Sequence, residues 1–99
     1  MRAITPDSLP TEVLETSYSL GQLILATRKA QGMSQESLCE SADIGRSTLV
    51  QIERGSPRVQ FAHWLSVLHA LDLLQLIRPG VPPAELGRIA RAVKRSGGL

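Results

Sequence analysis

Leu20, Ile24 and Thr27, joined by Leu23, fall three and four residues apart, and this spacing predicts a helix from Ser17 to Gln31. Gly32 stands where a left-handed C-terminal cap is wanted. Ser34 is a good N-cap for a second helix, Gln35 to Ala42, with Glu36 in its positive first turn. Asp43, Ile44 and Gly45 break the pattern. A third helix, Arg46 to Arg54, puts Leu49 and Ile52 on one face and stops at Gly55. Beyond a Ser56–Pro57–Arg58 loop, a fourth helix from about Val59 to Leu71 is expected to bury Phe61, Trp64, Val67, Leu68 and Leu71 on one stripe. Asp72 to Ile77 supplies a further short helical stretch before Pro79 and Gly80. A last amphipathic helix, Pro83 to Arg95, aligns Leu86, Ile89, Ala90 and Val93. Met1 to Thr16, with Pro6 and Pro10, reads as an extended arm with at most a turn of helix. The expected fold is all-α: a bundle of about five short helices plus a C-terminal amphipathic helix. Residues 1–16 form the arm, 17–77 the domain, and 78–99 the final helix and frayed tail.

Composition narrows this. Ninety-nine residues allow one core, and 42% apolar content is enough to fill it. Tyr18, Phe61 and Trp64 are the only aromatics, which argues against a base-stacking platform. Cys39 is the only cysteine, so an internal disulfide and a Cys-based zinc site are excluded. No apolar run approaches the ~20 residues that span a bilayer, and Met1 to Ser19 lacks the pattern of a signal peptide. The reading is a cytoplasmic protein. His63 and His69, six apart, are not spaced as two metal ligands on one helix face, and no nucleophile or base accompanies Glu36, Glu40 and Asp43. No catalytic constellation, metal or cofactor is expected.

The net charge of +2 conceals an asymmetry. Residues 1–45 set three cations against six carboxylates, whereas 46–99 set eight cations, seven of them arginine, against three. A basic half of this kind suits a polyanion, and arginine forks onto phosphate and guanine edges.

The informative stretch is Ser34 to Gly55, SQESLCESADIGRSTLVQIERG. Two short helices on a three-residue turn can cross as a helix-turn-helix. Cys39 is small where such helices cross, and Leu38, Ile44, Leu49 and Ile52 are apolar where the pair must rest on a scaffold. Arg46, Ser47 and Thr48 project from the first turn of the second helix, the end that enters the major groove in such motifs.

The longer run LGQLILATRKAQGMSQESLCESADIGRSTLVQIERG resembles the lambda-repressor/Cro-like (Xre) helix-turn-helix family. Arg28, Gly32, Ser34–Gln35, Leu38, Ile52–Glu53 and Gly55 match its pattern at fixed spacing, and the likeness extends over about Ser17 to Leu73. It implies base reading by Arg46, Ser47 and Gln51, and phosphate contacts by Gln35, Thr48 and Arg58. It implies for Arg28 and Glu53 a structural pair joining the first helix to the end of the third. Two positions depart from the family: Asp43 opens the turn where glycine is usual, and Gly45 replaces a Ser or Thr cap. The implied function is a sequence-specific transcriptional regulator, a repressor, binding a palindromic operator in double-stranded DNA as a homodimer. A narrower resemblance of the tail, LDLLQLIRPGVPPAELGRIARAVKR, to HipB-type antitoxins adds an alternative in which the chain binds a cognate toxin and autoregulates its operon. An interaction-only adaptor is a third reading.

One surplus is left over. Leu23 and Leu25, with Leu20 and Ile24, make the first helix apolar nearly all round. Either the arm folds over them through Val13 and Leu14, or a subunit or partner covers them. Leu86, Ile89 and Val93 on the last helix, beside Arg88, Arg91, Lys94 and Arg95, either pack onto the domain with a solvated basic rim or form a second candidate partner or dimer face, and membrane-surface binding ranks last.

Overall fold

A computed structural model describes residues 8–80 and 82–95, with Lys94 and Arg95 described in backbone only. The order is α1 (Thr11–Ala30), α2 (Gln35–Ala42), α3 (Arg46–Glu53), α4 (Phe61–Ala70), a single 3-10 turn at Leu74–Leu76, and α5 (Pro83–Arg95). There is no strand among the described residues.

Three expectations need correction. The first helix begins at Thr11, not Ser17. Pro10 does not break it but starts it: its carbonyl accepts the N–H groups of Val13 (3.0 Å) and Leu14 (3.2 Å), and its own missing N–H is one no helix start needs. Glu12 sits in the first turn, where the helix dipole favours it. Val13 and Leu14 consequently lie on the same rod as Leu23 and Leu25, about ten residues or 15 Å away, and do not fold over them. Phe61, expected on the buried stripe, is 70% exposed at the first position of α4. Val59 and Gln60 are not yet helical, so that face of Phe61 has no preceding turn to cover it.

The first four helices stop in one manner. At Gly32, Asp43, Gly55 and Asp72 the backbone turns left-handed, with φ of 71°, 56°, 79° and 64°. In each case the next N–H reaches back five residues: Met33 to Arg28 O, Ile44 to Cys39 O, Ser56 to Gln51 O and Leu73 to Leu68 O, at 2.7–3.1 Å. This Schellman closure satisfies carbonyls that the helix ends would otherwise strand. The residue after each cap (Met33, Ile44, Ser56, Leu73) is at least half-buried, and three of the four are apolar, so the chain turns back into the core.

The core is built from Ile24 of α1, Leu38, Cys39 and Ala42 of α2, Leu49 and Ile52 of α3, and Trp64, Val67, Leu68 and Leu71 on and after α4. Six aliphatic side chains spread over α1 to α4 (Ile24, Leu38, Leu49, Ile52, Val67 and Leu68) have no exposure at all. Burial of one such side chain stabilises by roughly 1.5–3 kcal/mol. α2 packs chiefly on α4, and α1 on α3; α5 makes no extensive contact with another element.

Candidate nucleic-acid interface

The site is assembled from the α2 cap onward. Ser34 is extended (φ −76°, ψ 164°) and its hydroxyl accepts the Ser37 N–H at 3.0 Å, which closes the first turn of α2. The backbone N–H groups of Gln35 and Glu36 remain at that positive helix start, an arrangement suited to a phosphate oxygen. After Asp43, Gly45 is extended (φ −78°, ψ 160°) and offers no side-chain cap; its carbonyl accepts the Leu49 N–H at 3.1 Å and α3 begins.

α3 is two-faced. Leu49 and Ile52 are fully buried, while Arg46, Ser47, Gln51 and Arg54 are exposed, and Thr48 and Val50 are half-buried at the margins. Ser47, Gln51 and Arg54 follow at i, i+4 and i+7, one continuous outward stripe two turns long. Arg58 is exposed in the following loop, its backbone N–H donating to Ser56 Oγ at 3.3 Å. Between residues 46 and 58 the only acid is Glu53, and it points inward. The outward surface of this segment therefore shows three arginines and no carboxylate.

Glu53 is the hub that orients this helix. It is 6% exposed and takes the Arg28 Nε–H at 2.7 Å and Nη2–H at 3.4 Å. Its Oε1 also accepts the Gln35 amide at 3.0 Å, while Arg28 Nη1 donates to the Met33 carbonyl at 2.9 Å. One network thus joins the end of α1, the start of α2 and the end of α3. The Arg28–Glu53 pairing lies in this network, and Gln35 enters it as well, a contact that residue spacing did not indicate. Glu53 holds the Gln35 carboxamide in a fixed orientation at the mouth of the α2 N-terminus.

A second close approach sets the tilt of α3. Gly21 has no room for a side chain: a Cβ there would lie 2.5 Å from the Ile52 carbonyl oxygen and 2.8 Å from the Gly55 nitrogen. A Cβ on Gly55 would fall on the backbone of Tyr18, and Ser17 Oγ donates to the Gly55 carbonyl. α1 and the end of α3 touch backbone to backbone. Cys39 of α2 sits 9% exposed in the core, and burial pushes its thiol pKa up.

Two cations escaped sequence reasoning. Lys29 and Arg54 flank a shallow depression of about 530 Å³ between α1 and the α2–α3 pair, with Gln35 and Val50 in its lining. Arg54 was visible only as the end of a helix, although its seven-residue distance from Ser47 already put it on the outward face. Leu25 lines this depression, whereas Leu23 is 38% exposed and lies on the other flank of α1. The two leucines, about 200° apart around the helix, do not form one patch. Leu86 and Ile89 are each 44% exposed and Val93 38%, all on α5. No group of three or more metal-ligating side chains occurs among the described residues, and no helix among them is long and apolar enough to cross a membrane.

The Helix-turn-helix family model matches residues 24–74, from Ile24 in α1 through α2, α3 and α4 to the first residue of the 3-10 turn. An HTH-type transcriptional regulator of Sinorhizobium fredii, y4mF, is 31% identical over 68 residues, 68% of this chain and 90% of the relative. Given this match, the capped α2–turn–α3 geometry and the outward polar face of α3, the chain belongs to the lambda-repressor/Cro-like (Xre) family of helix-turn-helix DNA-binding proteins.

Proposed function

We propose that this protein, a DNA-binding transcriptional regulator by family, represses transcription by binding a palindromic operator as a homodimer, with α3 in the major groove. The observation that carries the reading is the outward face of α3: exposed Arg46, Ser47 and Gln51, and no exposed carboxylate from residue 46 to 58. Arg46 can fork onto guanine O6 and N7, and Gln51 can pair with adenine N6 and N7, each worth about 1–3 kcal/mol of discrimination. Gln35 and Thr48, at the starts of α2 and α3, and Arg58 beyond α3 hold phosphates; Arg54 and Lys29 extend the same basic margin. Arg28 and Glu53 touch no DNA and position the reading helix. Two half-sites about one helical turn apart then match the two-fold axis of the dimer.

The test is a footprint on the DNA upstream of the protein's own gene at physiological salt. The expected result is a protected segment with internal two-fold symmetry, lost with Arg46→Ala or Gln51→Ala in proteins that keep wild-type helical content. Binding no tighter than to bulk DNA refutes the reading.

A second reading, an antitoxin that also binds a toxin, is favoured by the apolar surface left on the domain: Leu23, and Phe61 at 70% exposure. Its signature is co-purification of the wild-type chain with the product of the neighbouring reading frame, abolished by Phe61→Glu or Leu23→Glu; purification of the chain alone removes it.

A further inference from the structure

A mainly apolar groove lies away from the reading face. It is an open groove of about 550 Å³ between the N-terminal half of α1 and the start of α4, lined by Val13, Leu20, Phe61, Trp64, Leu68 and Ile77. Val13 is 45% exposed, Phe61 70% and Ile77 40%, an unusual concentration of large apolar side chains for so small a domain. Leu23, three residues after Leu20, continues the same flank of α1. Elsewhere in the same chain, α5 carries Leu86 and Ile89, each 44% exposed, with Val93 a turn further along the same face. We propose that the two surfaces cover each other between copies: α5 of one chain lies in the α1–α4 groove of a second, and the exchange is reciprocal.

Three observations favour this occupant. The charges are complementary. From Thr11 to Thr27, α1 contains Glu12 and Glu15 and no Lys or Arg, and Glu12 is in the groove lining. α5 contains Arg88, Arg91, Lys94 and Arg95 against Glu85 alone, and Arg88 is largely exposed with only a long 3.5 Å contact to Glu85. The dimensions agree: Leu86, Ile89 and Val93 span about 10 Å of helix, a knob row suited to a short groove. The connector favours exchange over return. Residues 78–83 read Arg-Pro-Gly-Val-Pro-Pro, and Ile77, the last residue before it, is itself part of the groove wall. Pro79, Pro82 and Pro83 each fix φ, which works against a tight return of α5 onto its own groove. Exchange of an identical element between copies is a low-cost route to a dimer. Pro57, the second residue after Gly55, also lines the groove, so the joint abuts the loop leaving the reading helix.

The inference rests on the homodimer reading, and complementation tests it separately from DNA binding. Light scattering of the full chain is expected to give a dimer. Phe61→Glu removes the groove and Ile89→Glu removes the helix face. Both positions are exposed, so circular dichroism should show a folded α1–α4 domain in each. Each variant alone should self-associate about 100-fold or more weakly, because its charge must be buried in an apolar joint. An equimolar mixture of the two should form a heterodimer, since it restores one intact groove and one intact helix. A monomeric wild type overturns the proposal in favour of α5 on its own groove or of another partner. A Phe61→Glu protein that remains dimeric overturns it in favour of α5–α5 pairing, and failure of the mixture to associate overturns exchange itself. A monomer that still protects a specific DNA site would sink the exchange and the homodimer with it, and leave base reading by α3 standing. A complementing dimer that binds no specific DNA would do the reverse.

Discussion

Arg28 and Glu53 show how two buried charges can hold a reading surface in place. Each is under a tenth exposed, and their hydrogen bonds reach three helices. Removing one partner strands the other in low dielectric, so Arg28→Ala is expected to lower stability by about 3–5 kcal/mol. Replacing both with apolar residues of similar volume should recover most of that loss. Urea midpoints check this, and a cost under about 1 kcal/mol for the single variant would mean that the pair is not desolvated. Gly21→Ala should cost about 1–3 kcal/mol, since backbone on both sides blocks a new methyl. Cys39 supplies a pH-dependence. Its pKa is raised by burial, so the folded state holds the neutral thiol. A raised folded-state pKa stabilises in full below the unfolded value, and the contribution is lost as pH rises through the thiol range. Cys39→Ala should flatten that alkaline decline in thermal stability, and an unchanged decline would assign it to other groups. At this scale the sequence was legible where a residue's role is fixed by family spacing, as at Arg28 and Glu53. It was opaque where the role depends on a partner in space: nothing in the order of residues told that Gln35 hydrogen-bonds Glu53, or that Gly21 lies against Gly55.

Elements were legible wherever their ends carry chemistry. α2 runs from the Ser34 cap to the left-handed Asp43, and both ends fall where those residues put them. α1 was misread at its start because proline was taken as a breaker, when at a helix entrance it is a starter. Phe61 was misplaced because periodicity identifies a stripe without saying how far the neighbouring element reaches to cover it. Asp43 and Gly45, the two departures from the family pattern, carry small costs that substitution can recover. Asp43→Gly relieves a side chain held at φ 56° and should add about 0.5–1 kcal/mol, and Gly45→Ser should add a few tenths by capping α3. Denaturant unfolding measures both; loss of stability at Asp43→Gly would mean that its carboxylate contributes more than its backbone strain removes.

For the whole molecule the sharpest change concerns charge. The division into an acidic first half and a basic second half, drawn at residue 45, survives in three dimensions only in part. Lys29 of the acidic half stands beside Arg54 at the reading margin, while the cations of α5 lie on an element that hardly touches the domain. Phosphate neutralisation by such a margin releases counterions, so operator affinity should fall steeply with salt, and Arg54→Ala should reduce the magnitude of the log–log slope by about 0.9. An unaltered slope would take Arg54 off the DNA. The central claim is that α3 reads base edges and does not merely lie on the backbone. The most direct measurement is selection of binding sites from random duplexes by the full chain and by Arg46→Ala. The account predicts enrichment of two symmetric half-sites about one helical turn apart, with Arg46→Ala relaxing the preference at one position of each half-site and leaving the others. Enrichment of no sequence, or a uniform weakening by Arg46→Ala across all sequences, would contradict it.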